Sequence, residues 1–470
     1  MPCINTGYDW CRHLHTAYRD GDKEYCIFHA PQGRKGLSTE QFNEQVFKRI
    51  ASTPQGEECN LSGTVFDEYI SFNGKELPPI DFRGARFDGN AYFGKTHFNG
   101  LTSFEDVQFI GWAHFRNAKF DAADFIGVHF SREVDFQDAQ FSGVAAFERT
   151  QFRDWASFNG ALFGGEADFN NTIFIGEASF FSAQFAGKAD FGRSRFSEET
   201  NFFDARFIGN ADFGYSSFKK KTSFVRTKWD QASFANVEVG ENVRFESVDL
   251  RKVSFRDTDM KKMDFVYCTW PKIHGSNCLY DEALIFHEKG TPLSSLDKIK
   301  NVKIYLRFYP TISQEFEKME MLYRGLKQKY KEEHNEAEAS IWHYREKEMW
   351  RKRSRLRRLN PISLSNLYWL SSGYGERVFR AGVMLVALFM GLALLSQVIG
   401  LKPEESKIFA AHPKNFLAVL LNTAEYATFS KTPLLFPINL AGECLKLLTR
   451  ILVPIQTALL FLAIRNRFRR

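Results

Sequence analysis

The sequence predicts a mainly β fold, a solenoid of stacked coils, followed by an α-helical hairpin that crosses a membrane. First, large apolar residues, nearly all of them Phe, recur from Leu61 to Trp270 at alternating spacings of five and six. Second, a small or β-branched residue stands two positions before most of these Phe. Third, two charge-poor apolar stretches near the carboxyl end are as long as a membrane span. An internal repeat of this kind determines the fold.

The spacing of the Phe ladder requires a bend in every unit. A spacing of five would carry successive Phe around the surface of a helix, and in a strand it would flip each Phe to the opposite face. Asn, Asp and Gly between the anchors, as in Phe158-Asn159-Gly160, tolerate turn geometry. We therefore expect coils about 4.8 Å apart, with each inward Phe stacked on the Phe of the coils above and below. Burial of these rings should stabilise the fold by about 25 cal/mol per Å² of apolar surface.

Three segments repeat one unit as they stand: Ala167-Asp168-Phe169-Asn170-Asn171, Ala189-Asp190-Phe191-Gly192-Arg193 and Ala211-Asp212-Phe213-Gly214-Tyr215. They resemble the pentapeptide-repeat family, whose unit is Ala-Asp/Asn-Leu/Phe-x-x. The resemblance implies a right-handed quadrilateral β-helix over residues 61–270. Roughly 40 anchors on four sides predict about 10 coils. The extra residue in alternate units departs from the family pattern, and we expect it to widen some corners without breaking the stack.

The amino-terminal residues 1–36 are interpreted as a zinc-knuckle-like module. Four residues could surround one structural zinc ion, namely Cys3, Cys11, Cys26 and His29. The Cys-x-x-His end has a ligand spacing, and the segment is too short to fold around a core of its own. It is similar to the amino-terminal knuckle of some pentapeptide-repeat proteins. His13 or His15 could replace one ligand, and the alternative is a set of loose reduced thiols in a flexible terminus.

The remaining segments are assigned from their apolar patterns. We expect a lead-in helix in 37–60, a cap and connector in 271–312, a cytosolic helical hairpin in 313–360 and a membrane domain in 361–470. The first hairpin helix is predicted from Ser313 and the break at His334-Asn335. No secretory signal opens the chain and its seven Cys are scattered, so we expect a cytosolic bulk with reduced thiols.

Charge and motifs argue against two functions. Some pentapeptide-repeat proteins resemble a DNA duplex and inhibit topoisomerases, which needs a strongly negative rod. Acidic and basic residues nearly balance along this repeat, and Lys219-Lys220-Lys221 interrupts any acidic stripe. We therefore expect no DNA mimicry and no nucleic-acid partner. The sequence contains no nucleophile–base pair, phosphate loop or catalytic metal spacing, so we expect no enzyme.

Two apolar stretches are predicted to span a membrane, 381–401 and about 438–464. Basic clusters lie before the first, at Arg351–Arg358, and after the second, at Arg465–Arg470. Because both clusters flank the same side of the hairpin, we expect both termini in the cytoplasm, with the spans in the inner (plasma) membrane.

The segment between the spans contains a short apolar helix, predicted from Pro413 to Phe429, that is too short to cross. Span, re-entrant helix, return loop and span is the layout of a two-span channel pore, and this region resembles pentapeptide-repeat proteins that end in a channel-like domain. Gly373-Tyr374-Gly375 is similar to part of the potassium filter. It precedes the first span, however, so we interpret it as an interfacial turn and expect no potassium selectivity.

Six polar residues are predicted to line a pore: Glu425, Ser430, Lys431, Glu443, Lys446 and Arg450. The last three share one helical face, where intramembrane charges cost about 2.5–3.5 kcal/mol each unless they face water or a partner. In a symmetric homo-oligomer they would form rings whose net positive charge favours anions. The alternative is that Glu443 pairs with Lys446 at the outer interface and only Arg450 lies deep. Pro454 should kink the span and is the candidate gate hinge.

The sequence thus predicts an oligomeric membrane ion channel, gated by or coupled to a cytosolic pentapeptide-repeat domain that senses or binds a partner. The expected partners are membrane lipid, inorganic ions, further copies of the chain and a cytosolic ligand or protein on the β-helix. The two-span layout favours a tetramer. The alternative is a membrane-anchored pentapeptide-repeat scaffold or binding protein that conducts nothing.

Overall fold

The computed structural model describes residues 8–273, 275–288, 302–353, 363–403, 415–429, 433 and 435–468. The chain forms two compact units, Met1–Thr291 and Pro292–Arg470.

The first unit opens with an antiparallel hairpin of strands Thr16–Asp20 and Lys23–Cys26, followed by helix α1, Thr39–Ser52. A capping box starts α1, because the Ser38 hydroxyl accepts a hydrogen bond from the Gln41 amide and the Gln41 side chain accepts one from the Ser38 amide. The helix buries Phe42 and Val46.

A β-solenoid follows, and the predicted fold class is confirmed. Its strands, most of them two residues long, pair in parallel from coil to coil and form three sheets. The sixteen-stranded sheet covers two faces, because His97–Ser103 and Lys119–Asp124 run through a corner and pair on both sides of it. One face stacks nine strands and another ten, close to the predicted number of coils.

The strands of the nine-stranded sheet are Val65–Phe66, Arg86–Phe87, Gln108–Phe109, His129–Phe130, Gln151–Phe152, Ile173–Phe174, Arg195–Phe196, Ser217–Phe218 and Glu238–Val239. Those of the ten-stranded sheet are Ile70–Ser71, Ala91–Tyr92, Ala113–His114, Val134–Asp135, Ala156–Ser157, Ala178–Ser179, Thr200–Asn201, Thr222–Val225, Val243–Glu246 and Met263–Val266. The sixteen-stranded sheet comprises Cys59–Asn60, Glu76–Leu77, Ile80–Asp81, His97–Ser103, Lys119–Asp124, Gln140–Phe141, Ala145–Ala146, Leu162–Phe163, Ala167–Asp168, Gln184–Phe185, Ala189–Asp190, Arg206–Phe207, Ala211–Asp212, Lys228–Trp229, Ala232–Ser233 and Val253–Ser254.

The Phe ladder forms the core of the solenoid. Phe147 stacks on Phe125 and on Phe169 in parallel, with ring centroids 4.8 and 4.7 Å apart. Within one coil, Phe147 and Phe158 meet at right angles, 5.5 Å apart. All four rings are fully buried, so each contributes both apolar burial and favourable ring geometry.

In some of the longer units, the extra residue is accommodated by a glycine packed on backbone. Gly143, Gly165 and Gly187 occupy the same position in successive coils, and a Cβ on Gly165 would lie 2.4 Å from the Gly143 carbonyl oxygen. The stack continues across these units, since Phe141 pairs in register with Phe163 one coil later. The bends of the shorter units instead use left-handed residues, such as Asp138 with φ of 55°.

A short helix closes the first unit beyond the last coil. After the strands Lys272–Ile273 and Ser276–Asn277, helix α2 spans Tyr280–Glu288. The buried Asp281 carboxylate accepts hydrogen bonds from the Ser254 hydroxyl at 2.5 Å and from the Phe255 amide at 2.9 Å, and it thereby joins α2 to the solenoid.

The second unit is helical. Its helices are α3 (Val302–Glu332), α4 (Glu336–Arg353), α5 (Leu364–Ser372), α6 (Val378–Ile399), α7 (Phe416–Ala427) and α8 (Leu440–Phe468). Strand Leu401–Pro403 follows α6 and pairs antiparallel with Leu435–Pro437, which precedes α8.

Helices α3 and α4 form an antiparallel hairpin around the stacked rings of Tyr323 and Trp342, with His334 in a left-handed turn between them. The hairpin begins earlier than the predicted Ser313, because α3 starts at Val302 and continues through Pro310. A proline inside a helix removes one backbone hydrogen bond, but here that loss does not break the helix.

Candidate functional site

Three of the predicted metal ligands come together beside the first coil. The ligand atoms of Cys11, Cys26 and His29 all lie within 4.8 Å of one another, and the three side chains are buried. The Cys26 Sγ atom is 3.2 Å from His29 Nδ1. Two thiols and an imidazole are a donor set that suits a metal such as zinc, so the cluster could hold one.

The orientation of the His29 ring selects which nitrogen faces the thiols. Nε2 lies 3.0 Å from the carbonyl oxygen of Ser62, and the ring stacks on Tyr8 with centroids 5.1 Å apart. A carbonyl only accepts, so Nε2 carries the proton and Nδ1 keeps its lone pair toward Cys26. Burial lowers the pKa of His29, which favours this neutral, ligating form.

The other predicted ligands differ in position. Cys3 lies outside the described residues. His13 and His15, the possible substitutes, are exposed and stand apart from the cluster. The indole of Trp10 donates to the Ser62 carbonyl at 3.1 Å, so this module is joined to the first coil by more than His29.

The second candidate site lies in the helical unit. Among the described residues, α6 and α8 (over Leu440–Asn466) are long and apolar enough to cross a membrane. Only 17% of the most apolar 18-residue segment of α6 and 22% of that of α8 are buried, so most of their apolar surface points outward. That distribution suits helices that face lipid rather than a protein core.

The short helix α7 is fastened to the return strand at Leu435. The Asn422 Oδ1 atom accepts a hydrogen bond from the Leu435 amide at 2.9 Å, and the Tyr426 hydroxyl donates to the Leu435 carbonyl at 2.6 Å. Its start is capped by Asn415, whose side chain accepts from the Leu417 amide at 3.1 Å. The predicted first-turn Pro413 lies outside the described residues.

Four of the predicted pore residues gather around the end of α7, and we name them the polar cluster: Glu425, Glu443, Lys446 and Arg450. Lys446 Nζ lies 3.3 Å from Glu443 Oε2 and 5.7 Å from the centre of the Tyr426 ring. The Arg450 guanidinium lies 5.8 Å from the Phe429 ring. Glu425 lies in the last turn of α7, next to Tyr426 in the chain.

The members of the polar cluster differ in whether their charged groups have an ion-pair or hydrogen-bond partner. Glu443 is half exposed and forms an ion pair with Lys446, as in the alternative drawn from the sequence. Arg450 Nε is buried and has no hydrogen-bond partner in the described part of the chain. Ser430 and Lys431 lie outside the described residues.

Pro454 lies inside α8, one turn after Arg450. Having no amide hydrogen, it leaves the Arg450 carbonyl without its usual helical partner. Two residues further, the Gln456 side chain donates to the carbonyls of Ser371 at 2.9 Å and Ala381 at 3.0 Å. Gln456 therefore fixes this part of α8 against the start of α6.

Sequence reasoning missed Asn422, Tyr426 and Gln456. Gln456 could have been identified, because a lone amide in an apolar span needs a partner. Asn422 and Tyr426 face a strand that lies nine or more residues later, and no local pattern indicates that contact.

Comparison with known proteins agrees with the repeat. A family model described as pentapeptide repeats (9 copies) matches residues 82–129 and 125–173. The chain therefore contains pentapeptide repeats, as the resemblance implied. No curated protein matches the chain.

Proposed function

We propose that this protein is an oligomeric membrane ion channel, not an enzyme, coupled to a β-solenoid that binds a cytosolic ligand or protein. The proposal rests mainly on Arg450, a cation in a span-length apolar helix. Its Nε atom is buried and lacks a hydrogen-bond partner among the described residues. A charge at membrane depth costs about 2.5–3.5 kcal/mol, and such residues commonly face a water-filled path.

The position of Arg450 adds to the argument. It lies beside Phe429, just past the end of α7, where helix carbonyls leave a partial negative charge. The end of α7 and the Arg450 cation would together provide oriented dipoles and charge where an ion passes. The two-span layout favours a tetramer. In a tetramer, the polar clusters of the four copies would form rings around the symmetry axis.

Contacts within the second unit support a route from the hairpin to the second span. Ser340 of α4 donates to the Glu376 carboxylate in the turn between α5 and α6. Asn466 of α8 donates to the carbonyl of Gly375 in the same turn, at 3.0 Å. A displacement of α4 would therefore act on α8 through this turn.

The second candidate is a membrane-anchored scaffold. It is favoured by the ion pair of Glu443 with Lys446 and by the aromatic rings beside Lys446 and Arg450, because these contacts meet much of the charge within one chain. A scaffold would need the spans only for attachment.

Ion flux from vesicles separates the two candidates. We expect the wild-type chain to release a trapped ion, and the variant with Glu443→Leu, Lys446→Leu and Arg450→Leu to lose or alter that release. Cys444→Leu, an exposed change on the same helix, should behave as wild type. An inserted, oligomeric wild-type chain that releases no anion or cation would favour the scaffold.

A further inference from the structure

Helix α5, Leu364–Ser372, has its apolar side outward and its polar side inward. Leu364, Leu367 and Leu370 recur every three residues and are 86%, 43% and 47% exposed. We call these three residues the leucine stripe. A helix on the surface of a water-soluble protein shows the opposite arrangement, so water is a poor match for this side of α5.

The inward side of α5 is fixed by polar contacts within the second unit. Asn366 Oδ1 accepts from Arg351 Nη1 at 3.1 Å, and the Trp369 indole donates to the Tyr344 hydroxyl at 3.3 Å. Ser363 caps the start of the helix, and Gly373, with φ of 54°, ends it in a left-handed cap. The helix is thus well formed, and its rotation is set by these contacts rather than by the leucine stripe.

Two arginine side chains contact the same helix, and one of them, Arg351, is ion-paired with Glu348. The guanidinium carbons of Arg351 and Arg380 lie 4.6 and 4.9 Å from the centre of the Trp369 ring. Arg380 also donates to the Trp369 carbonyl at 3.2 Å, which joins the end of α5 to the first turn of α6. Tryptophan with flanking arginine is typical of the level of lipid headgroups.

The exposed apolar surface continues in the chain from α5 into α6. After the turn at Gly373–Arg377, Phe379 in the first turn of α6 is 85% exposed, and Val386 further along is 63% exposed. Apolar contact, basic charge and continuity with the span all fit a single partner, the lipid surface that α6 enters.

We propose that α5 lies along the cytoplasmic face of the membrane, with the leucine stripe in the boundary between headgroups and acyl chains and with anionic headgroups near Arg380. This inference rests on the proposed crossing of the membrane by α6. Such an interfacial helix binds through buried apolar area together with attraction to anionic lipid. It fixes the depth of the turn that joins α4 to α8.

Depth-dependent quenching tests the inference on the full chain. An environment-sensitive fluorescent amino acid is introduced singly at position 367, 386 or 321, and the chain is reconstituted in vesicles of phosphatidylcholine and phosphatidylglycerol. Nitroxide lipids carry the quencher either near the headgroup or deep in the acyl chain. Position 321 is the matched control, because Met321 is an exposed apolar residue of the cytosolic hairpin.

We expect the label at 367 to be quenched at least about twofold more by the shallow nitroxide than by the deep one. The label at 386 should show the reverse preference, and the label at 321 should escape both. Arg380→Gln, or vesicles of phosphatidylcholine alone, should reduce the shallow quenching at 367.

The outcomes separate this inference from the proposed function. If 386 is quenched and 367 behaves as 321 does, α5 is not at the interface although α6 crosses the membrane. A second copy of the chain could instead cover the label at 367 and shield it from the nitroxide lipids. Quenching at 367 would then rise when the protein is diluted in lipid, and that result would also overturn the inference. If 386 also escapes quenching, the crossing itself is wrong.

Discussion

The His29 Nε2 atom lies 3.0 Å from the carbonyl oxygen of Ser62, and this contact joins the Cys/His cluster to the first coil of the solenoid. Nδ1 of the same ring faces Cys26 at 3.2 Å. A metal bound to Nδ1 would fix the orientation of the ring, whose Nε2 donates to the Ser62 carbonyl. Metal binding and the stability of the first coil should therefore be linked.

We therefore expect the purified chain to contain one metal ion at this cluster and to lose it on Cys26→Ser. A chelator should lower the melting temperature of the wild-type solenoid and leave Cys26→Ser unchanged, because the variant has no metal to lose. Metal content by mass spectrometry and thermal unfolding provide the two readouts. Cys444→Ser removes an exposed thiol elsewhere and should keep the metal. Full metal content in Cys26→Ser would contradict the assignment.

The sequence was informative about this unit because the repeat is local. A Phe two residues after a small residue, with a turn-forming residue beyond it, predicts its own environment, and Phe147 and Phe169 lie where the spacing required. The role of Gly165 was less visible, since the carbonyl it contacts belongs to the coil before. Register between coils, not local propensity, decides that contact.

Gly165→Ala should destabilise the solenoid. The added Cβ would lie 2.4 Å from the Gly143 carbonyl oxygen, a backbone atom that cannot rotate away. We expect a loss of about 1–3 kcal/mol in the free energy of unfolding, measured by denaturant titration. Ser142→Ala, an exposed change in the coil before, should stay within about 0.5 kcal/mol of wild type. Equal stability of the two variants would argue against the close packing.

Glu346 should make the stability of the helical hairpin depend on pH in the acid range. Burial opposes its charge, but the nearby His343 and the hydrogen-bonded ion pairs with Lys327 and Arg324 outweigh burial and lower the pKa of Glu346 below its ordinary value of 4.5. A carboxyl with a lowered folded pKa stabilises the fold above its unfolded pKa, and that contribution is lost as the pH falls toward the folded pKa.

Thermal unfolding of the helical unit should therefore show stability falling as the pH drops below about 4.5, and Glu346→Gln should flatten that fall while lowering stability at neutral pH. Glu336→Gln, an exposed change at the start of α4, serves as the control. An unchanged pH profile in Glu346→Gln would show that other groups cause the acid loss.

The helical unit was less predictable than the solenoid. Hydropathy predicted both span-length helices. The spacing of Lys446 and Arg450 predicts that they share a helical face, and their role in a pore stays a prediction. Their aromatic neighbours Tyr426 and Phe429 come from another helix and its following turn, and only the folded chain shows that contact. Long-range pairing of this kind leaves no period in the sequence.

The most direct test of the central claim is single-channel current from the purified, oligomeric chain in a planar bilayer. We predict discrete openings whose conductance or reversal potential changes on Arg450→Gln, because a charge beside the ion path sets the local potential. Thr457→Ala, which removes only a hydroxyl that donates to the Val453 carbonyl of its own helix, should open as wild type does. Openings that are identical in Arg450→Gln, or a folded oligomer that stays silent at every voltage and in every salt, would contradict the account.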